Sequence, residues 1–314
     1  MLPAEFAAAP LLTDLPEPVA AQRGVRLRLL RDDLHHPALP GNKWRKLQPN
    51  LREARRQGHT TLLTFGGAYS NHLAAVAAAG VLYDFQTVGI VRGEPAAARN
   101  STLARCAAAG MQLHFVSREQ YRRRSEPDWQ AELLARLGPA YLLPEGGTNG
   151  LAVQGCAEIV RELAAAHQSY DALTVACGSG GTLAGLVAGA GGHGRVVGIS
   201  ALKGHAPGLR AEVAALVHEA TGQSFDNWEL RTEFHFGGYA RYSAPLLAFI
   251  GQFYQRHGIL LDPVYTGKLL YGTLALIEQG YFAAGSTVLA VHTGGLQGWA
   301  GFTERFGAPP PTSH

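Results

Sequence analysis

From Thr60 onward this chain alternates short apolar runs with Ala- and Leu-rich runs of helical length, and that alternation restricts the fold more than any other feature. Thr61-Leu62-Leu63-Thr64-Phe65 reads as a strand, 72–80 as a helix, 86–91 as a strand, 101–110 as a helix and 112–116 as a third strand. Strands separated by single helices pair in parallel through right-handed crossovers. After a polar, Arg-rich stretch over 117–128 the pattern resumes, with strands expected at 140–143, 172–176, 196–199 and 287–291 and helices at 153–166, 183–190 and 273–278. The expected fold is α/β, with two open, mostly parallel sheets flanked by helices: a smaller domain over 51–144 and a larger one from 1–50 plus 145–314.

With 46% hydrophobic and 16% charged residues over 314 positions, the chain can bury sizeable cores and is too apolar for disorder. The formal charge is only +3 and the arginines are scattered, so nucleic acid is not an expected partner. Cys106, Cys156 and Cys177 share no CxxC spacing, which argues against a disulfide framework and for a reducing compartment. No basic segment precedes the apolar residues of 1–6, and no stretch of about 18 uninterrupted apolar residues follows, so a cytoplasmic location without membrane contact is expected. The histidines lack HExxH or triad spacing, and no metal is expected.

The chemistry-bearing residues begin with Pro40-Gly41-Asn42-Lys43-Trp44-Arg45-Lys46-Leu47, which places Lys43 just before the domain boundary, where clefts form. A lysine after a glycine and an asparagine, near the second small-residue loop Gly66-Gly67-Ala68-Tyr69-Ser70-Asn71-His72, is suited to Schiff-base chemistry on an aldehyde. Arg45 and Lys46 read as surface charges or as partners of nearby carboxylates. Cys177-Gly178-Ser179-Gly180-Gly181-Thr182 follows an apolar strand and opens a helix. It reads either as a phosphate cup of backbone N–H groups or as a tight turn without a ligand. There is no complete GxGxxG, and Gly267-Lys268 is followed by Leu269, which removes the P-loop option. Ser70 and Asn71 at a helix start are compatible with N-capping, with a ligand-facing role, or with both.

Together these segments resemble the fold type II pyridoxal-phosphate enzymes (tryptophan synthase β-like), in particular the 1-aminocyclopropane-1-carboxylate deaminase and D-cysteine desulfhydrase family. The segments that carry the resemblance, in the family's order, are Gly41-Asn42-Lys43-x-Arg45-Lys46-Leu47, Ser70-Asn71-His72, Gly178-Ser179-Gly180-Gly181-Thr182, Asp262-Pro263-Val264-Tyr265-x-Gly267-Lys268 and His292-Thr293-Gly294-Gly295. The resemblance implies pyridoxal 5'-phosphate as cofactor and a homodimer. It implies that Lys43 bonds the cofactor aldehyde, Asn71 its phenolic oxygen and Gly178, Ser179, Gly180, Gly181 and Thr182 its phosphate, with Tyr265 and Thr293 beside the ring. Lys43, Ser70 and Tyr265 are the implied catalytic residues, and Ser70, Asn71, His72, Tyr69 and Trp44 the implied substrate contacts.

Relatives acting on the cyclopropane amino acid carry Glu after the motif tyrosine and Leu before the final Gly-Gly, where this chain has Thr266 and Thr293. A carboxylate near the pyridine nitrogen would keep it protonated and deepen the electron sink, whereas hydroxyls favour elimination of a good leaving group. The expected activity is therefore D-cysteine desulfhydrase-like β-elimination from a small amino acid, giving 2-oxo acid, ammonia and sulfide, by lyase or hydrolase chemistry. The alternatives are the cyclopropane deaminase reaction, giving 2-oxobutanoate and ammonia, and a catalytically idle cofactor-binding or amino-acid-sensing protein. Tyr69, Trp44 and Pro40 depart from the residues usual in relatives, near the expected substrate cleft.

Overall fold

The computed structural model describes residues 10–36, 39, 41–94, 100–204 and 206–311; Pro40 and the first residues of the chain lie outside them. Among the described residues ten strands form two sheets. The strands are β1 (Leu12–Asp14), β2 (Arg26–Leu30), β3 (Thr61–Gly67), β4 (Gln86–Arg92), β5 (Gln112–Val116), β6 (Tyr141–Leu143), β7 (Ala172–Cys177), β8 (Arg195–Ser200), β9 (Trp228–Arg231) and β10 (Thr287–Val291). The smaller sheet runs β5-β4-β3-β6 and is parallel throughout. The larger runs β1-β2-β10-β7-β8-β9 and is parallel except for β1. Every residue of β7 is buried, as a central strand covered by helices on both faces requires.

Every strand expected from periodicity is present, with ends shifted by at most two residues. The helix start expected at Thr273 lies seven residues earlier, at Thr266. Strands β1, β2 and β9 and the helices Asn42–Arg56, Pro127–Leu137, Ala206–Thr221, Ala244–His257 and Gly298–Phe306 were not expected. The Asn42–Arg56 helix is polar and contains Pro49, which hides it from a propensity reading. Its apolar residues Trp44, Leu47, Leu51 and Ala54 nevertheless recur at three- and four-residue steps and are all buried.

Pro49 has no N–H to offer the Arg45 carbonyl one turn back. Gly155 of the Gly150–Ala165 helix abuts that carbonyl instead, and a Cβ at Gly155 would lie 1.9 Å from it. The two helices thus meet backbone to backbone. Buried Arg45 strengthens the junction by pairing with Asp32 at 2.8 Å and with Glu162 through Nη2 at 2.7 Å. The helix that carries Lys43 is therefore fixed at its first turn to both the turn that follows β2 and the Gly150–Ala165 helix.

Candidate active site

Parallel strands deliver their following loops to one edge of the sheet, and open α/β sheets bind ligands outside the carboxyl ends of their strands. The loops after β3 (68–70), β6 (144–149), β7 (178–180), β8 (201–204), β9 (232–243) and β10 (292–297) all leave such ends. The start of the Asn42–Arg56 helix joins them. Gly41, at φ 64°, lies so close to this last loop that a Cβ on it would be 2.2 Å from the Thr293 carbonyl oxygen. Only glycine serves there.

Lys43 is half-buried, and its Nζ donates to the Asn42 side-chain oxygen at 3.1 Å. Burial, with the like charge of Lys46 as the next cause, lowers its pKa from 10.5 to about 7. A lysine that is half neutral near pH 7 is a nucleophile ready for an aldehyde. A cavity of about 320 Å³ reaches Lys43, lined also by Leu39, Ala74, Ala78, Arg105, Cys106 and Gln297.

The glycine turn lies next to it. Gly180 takes φ 81° and caps the Gly181–Ala190 helix, whose free N–H groups and dipole suit an anion. Thr182 turns its hydroxyl inward, where Asn42 Nδ2 donates to it at 2.9 Å; what Thr182 offers the turn is backbone. Ser179 Oγ meets Thr148 Oγ1 at 2.7 Å. Lys46 corrects the sequence reading, because it is neither a surface charge nor the partner of a carboxylate. It is 3% exposed, and its Nζ donates to Thr148 Oγ1 at 3.0 Å and to the Gly146 carbonyl at 3.2 Å. A Cβ on Gly181 would lie 3.0 Å from that Nζ. Burial lowers the Lys46 pKa as well. Among the described residues no carboxylate pairs with Lys46, so a buried cation stands at an anion-seeking helix start without a counter-ion, as a phosphate site requires.

The loop after β3 contributes in several ways. Ser70 Oγ accepts from Leu73 N at 3.2 Å, so it caps the Asn71–Tyr83 helix while its hydroxyl proton stays available. The Asn71 amide reaches across to the β10 loop, within 3.8 Å of where a Cβ on Gly295 or Gly298 would sit. His72 is buried, with Nε2 2.9 Å from Thr64 Oγ1, and burial together with Lys43 and Lys46 holds it well below the usual imidazole range, hence neutral. Its ring lies against Gly147, where a Cβ would be 2.8 Å from Cε1. Tyr69 lays its ring on Gly301, where a Cβ would be 2.3 Å from a ring carbon. It thereby ties this loop to the Gly298–Phe306 helix rather than presenting its ring to the cleft. Trp44 requires a correction: it is 3% exposed, stacks with Tyr83 at 5.6 Å and tilts over His36 at 4.6 Å, within the core under the smaller sheet.

Tyr265 sits against the glycine turn, its ring 3.1 Å from a Cβ placed on Gly178. Burial, then neighbouring Tyr239, raises its pKa well above 10, so the phenol is a proton donor at neutral pH. Tyr239 was not anticipated from the sequence. It belongs to the loop after β9, is 45% exposed, and stands edge-on to Tyr265 with ring centroids 6.2 Å apart. Its only sequence signal is the flanking Gly237-Gly238, which marks a tight turn. Thr293 is buried beside Gly41. Thr266 departs from the expectation, because its hydroxyl donates to Asp262 Oδ2 at 2.7 Å and accepts from Asp262 N at 2.8 Å. Three backbone N–H groups, those of Val264, Tyr265 and Thr266, also converge on the Asp262 carboxylate. The Thr266 hydroxyl is thus committed to the turn and is not free to meet a ring nitrogen.

A lysine half neutral near pH 7, a glycine-rich helix start and a buried cation without a carboxylate partner among the described residues, gathered at the carboxyl ends of the two sheets, are what an enzyme that works through a phosphorylated aldehyde needs. The chain belongs to the pyridoxal-phosphate dependent enzyme family, which matches residues 10–294, and its cofactor is pyridoxal phosphate. It is 31% identical to the bifunctional D-cysteine desulfhydrase/1-aminocyclopropane-1-carboxylate deaminase, mitochondrial, of Arabidopsis thaliana, over 91% of this chain and 78% of the relative. It is also 31% identical to the D-cysteine desulfhydrase of Yersinia enterocolitica, over 87% of each. A solved structure of a homologue of 1-aminocyclopropane-1-carboxylate deaminase superposes with a TM-score of 0.83 at 28% identity, covering 96% of this chain and 94% of that one.

Proposed function

We propose that this chain is a lyase that removes a β-substituent from a small amino acid, with D-cysteine as the favoured substrate, yielding a 2-oxo acid, ammonia and sulfide. The observation that carries the reading is the pairing of Lys43, at a pKa of about 7, with buried Lys46 beside the Gly178–Thr182 turn. Bound there, pyridoxal phosphate would supply an aldehyde for the substrate amine and a ring that withdraws electrons from the α-carbon.

The residues of this chain would then divide the proton traffic. Lys43, near neutrality in its titration, takes the α-proton, with Ser70 as the neighbouring hydroxyl. Tyr265, held protonated, donates toward the departing sulfur. The C–S bond breaks with its electron pair on sulfur, and water enters only later, when the released aminoacrylate hydrolyses; the class is lyase rather than hydrolase. Asn71, Thr293 and the backbone of Gly178, Ser179, Gly180, Gly181 and Thr182 hold the cofactor in this reading, with Lys46 added to the phosphate contacts. Asp262 supports elimination over ring opening: the carboxylate beside the motif tyrosine has its acceptor capacity taken by four donors, and position 266 holds no carboxylate. The cyclopropane deaminase reaction stands as the second reading because the Arabidopsis relative is named for both activities.

A homodimer in the cytoplasm completes the proposal. Exposed Val81 and Leu82 offer an apolar patch to an interface, and three buried, unpaired cysteines suit a reducing compartment. Light scattering would test the dimer. The division into 51–144 and 1–50 plus 145–314 is supported by the smaller sheet lying wholly within 61–143, although the Asn42–Arg56 helix runs across residue 51. The deciding assay measures ammonia and 2-oxo acid from D- and L-cysteine, D-serine, β-chloroalanine and the cyclopropane amino acid. Efficient ring opening would move the assignment to the deaminase, and silence on every compound would favour the idle reading.

A further inference from the structure

Lys268 plays no part in the chemistry above, yet it is fully buried. It lies on the Thr266–Glu278 helix, three residues after Tyr265, and its Nζ donates to the Gly238 carbonyl at 2.7 Å, with the Ala201 carbonyl 3.5 Å away. Among the described residues Asp262 is the one charged group acting on it, and that carboxylate is already occupied by its own turn. A buried ammonium facing only carbonyls costs more than an apolar side chain of the same length, so packing alone does not account for a lysine here.

Its target explains it. Gly238 belongs to a contorted loop in which Phe236, Gly237, Gly238 and Ala240 all have positive φ, two of them non-glycine residues. Phe236 is pinned edge-on to Tyr271 at 4.8 Å, and a Cβ on Gly238 would be 3.2 Å from Lys203 Cβ in the loop after β8. Residue 239, next in line, is the tyrosine whose phenol reaches that of Tyr265. One lysine therefore grips a strained loop immediately before Tyr239 from a helix whose N-cap is Tyr265.

We propose that Lys268 is a positioning residue of this site, holding the Gly238 carbonyl so that the Tyr239 phenol stays against Tyr265. The kinetic half of the proposal rests on the functional reading above; the structural half does not. Two variants, Lys268→Met and Lys268→Gln, remove the charge, and the second keeps a donor for the carbonyl. Hydrogen exchange on the holoenzyme should show amides of 236–241 at least tenfold faster in Lys268→Met, partly restored in Lys268→Gln, with the strands β7 and β10 unchanged. Unchanged exchange in that loop would overturn the proposal whether or not the protein turns over any substrate. Where elimination is measurable, Tyr239→Phe and Lys268→Met should each lower kcat/KM, and the double variant should be no worse than Tyr239→Phe alone. Losses that multiply would mean Lys268 does not act through Tyr239. Should Lys268→Met fail to fold, the same exchange and kinetic comparisons on Lys268→Gln decide the matter.

Discussion

Lys46→Met is the most searching perturbation of the phosphate assignment, because it removes a charge while nearly preserving volume. In the wild-type protein Lys46 is 3% exposed, and its Nζ has two neutral acceptors at 3.0 and 3.2 Å and lies 3.0 Å from a Cβ position on Gly181. A unit charge about 4 Å from an anion at an effective dielectric near 20 interacts by roughly 4 kcal/mol, before the cost of desolvation. The net worth of a charge-assisted hydrogen bond is about 1.5–3 kcal/mol, so cofactor affinity should fall by roughly one to two orders of magnitude. Pyridoxal, which lacks the phosphate, should bind the two proteins equally. The cofactor-free variant should be as stable as the wild type or more so, since an unpaired buried ammonium is gone. Equilibrium titration with pyridoxal phosphate and pyridoxal, alongside thermal melts with and without cofactor, measures all three quantities. Equal loss of both ligands, or undiminished binding of the phosphorylated one, would refute the argument that Lys46 is the phosphate counter-ion.

Cofactor uptake by the cofactor-free protein should rise through pH 7 and level off above it, because Lys43 reacts when neutral and its pKa is lowered to about 7. Uptake still climbing beyond pH 9 would mean the lysine keeps its ordinary value; Lys46→Met, by removing a like charge, should move the midpoint upward. Ser70→Ala should cut turnover by about two orders of magnitude or more while costing about 1 kcal/mol in a denaturant melt, the usual worth of a cap; stability loss with unchanged kinetics would leave capping as its whole role. Thr266→Val should destabilise the protein by about 1–3 kcal/mol, since it strips a buried carboxylate of one donor and leaves the Asp262 amide without an acceptor. An unaffected melt would show that the turn does not depend on that hydroxyl.

Much of this protein was legible locally. The alternation of apolar runs with helical runs identified the strands from β3 to β8 and β10, because a buried parallel strand needs a continuous apolar stretch whatever surrounds it. Lys43, the turn at Gly178–Thr182 and the tyrosine at 265 stood out as candidates for the same kind of reason: a glycine-rich helix start suited to an anion and a lysine after Gly-Asn are both written in a few adjacent residues. What the sequence left open are quantities that distant neighbours determine. The insertion of β10 between β2 and β7 pairs segments more than 100 residues apart, and only that pairing brings Thr293 to Gly41. Lys46 reads as a solvated charge until the loop at Gly146 and Thr148 closes over it. Trp44, one residue from the reactive lysine, turns about 100° round the helix and into the core, because successive helical side chains point to different faces. Thr266 could have faced a ring nitrogen on its residue type alone; it does not, since Asp262 four residues earlier already claims its proton. Tyr239 enters the site on a loop with no periodicity of its own, held by a lysine thirty residues away. Residue types set what each group can do, and packing decided which partners had already used that capacity.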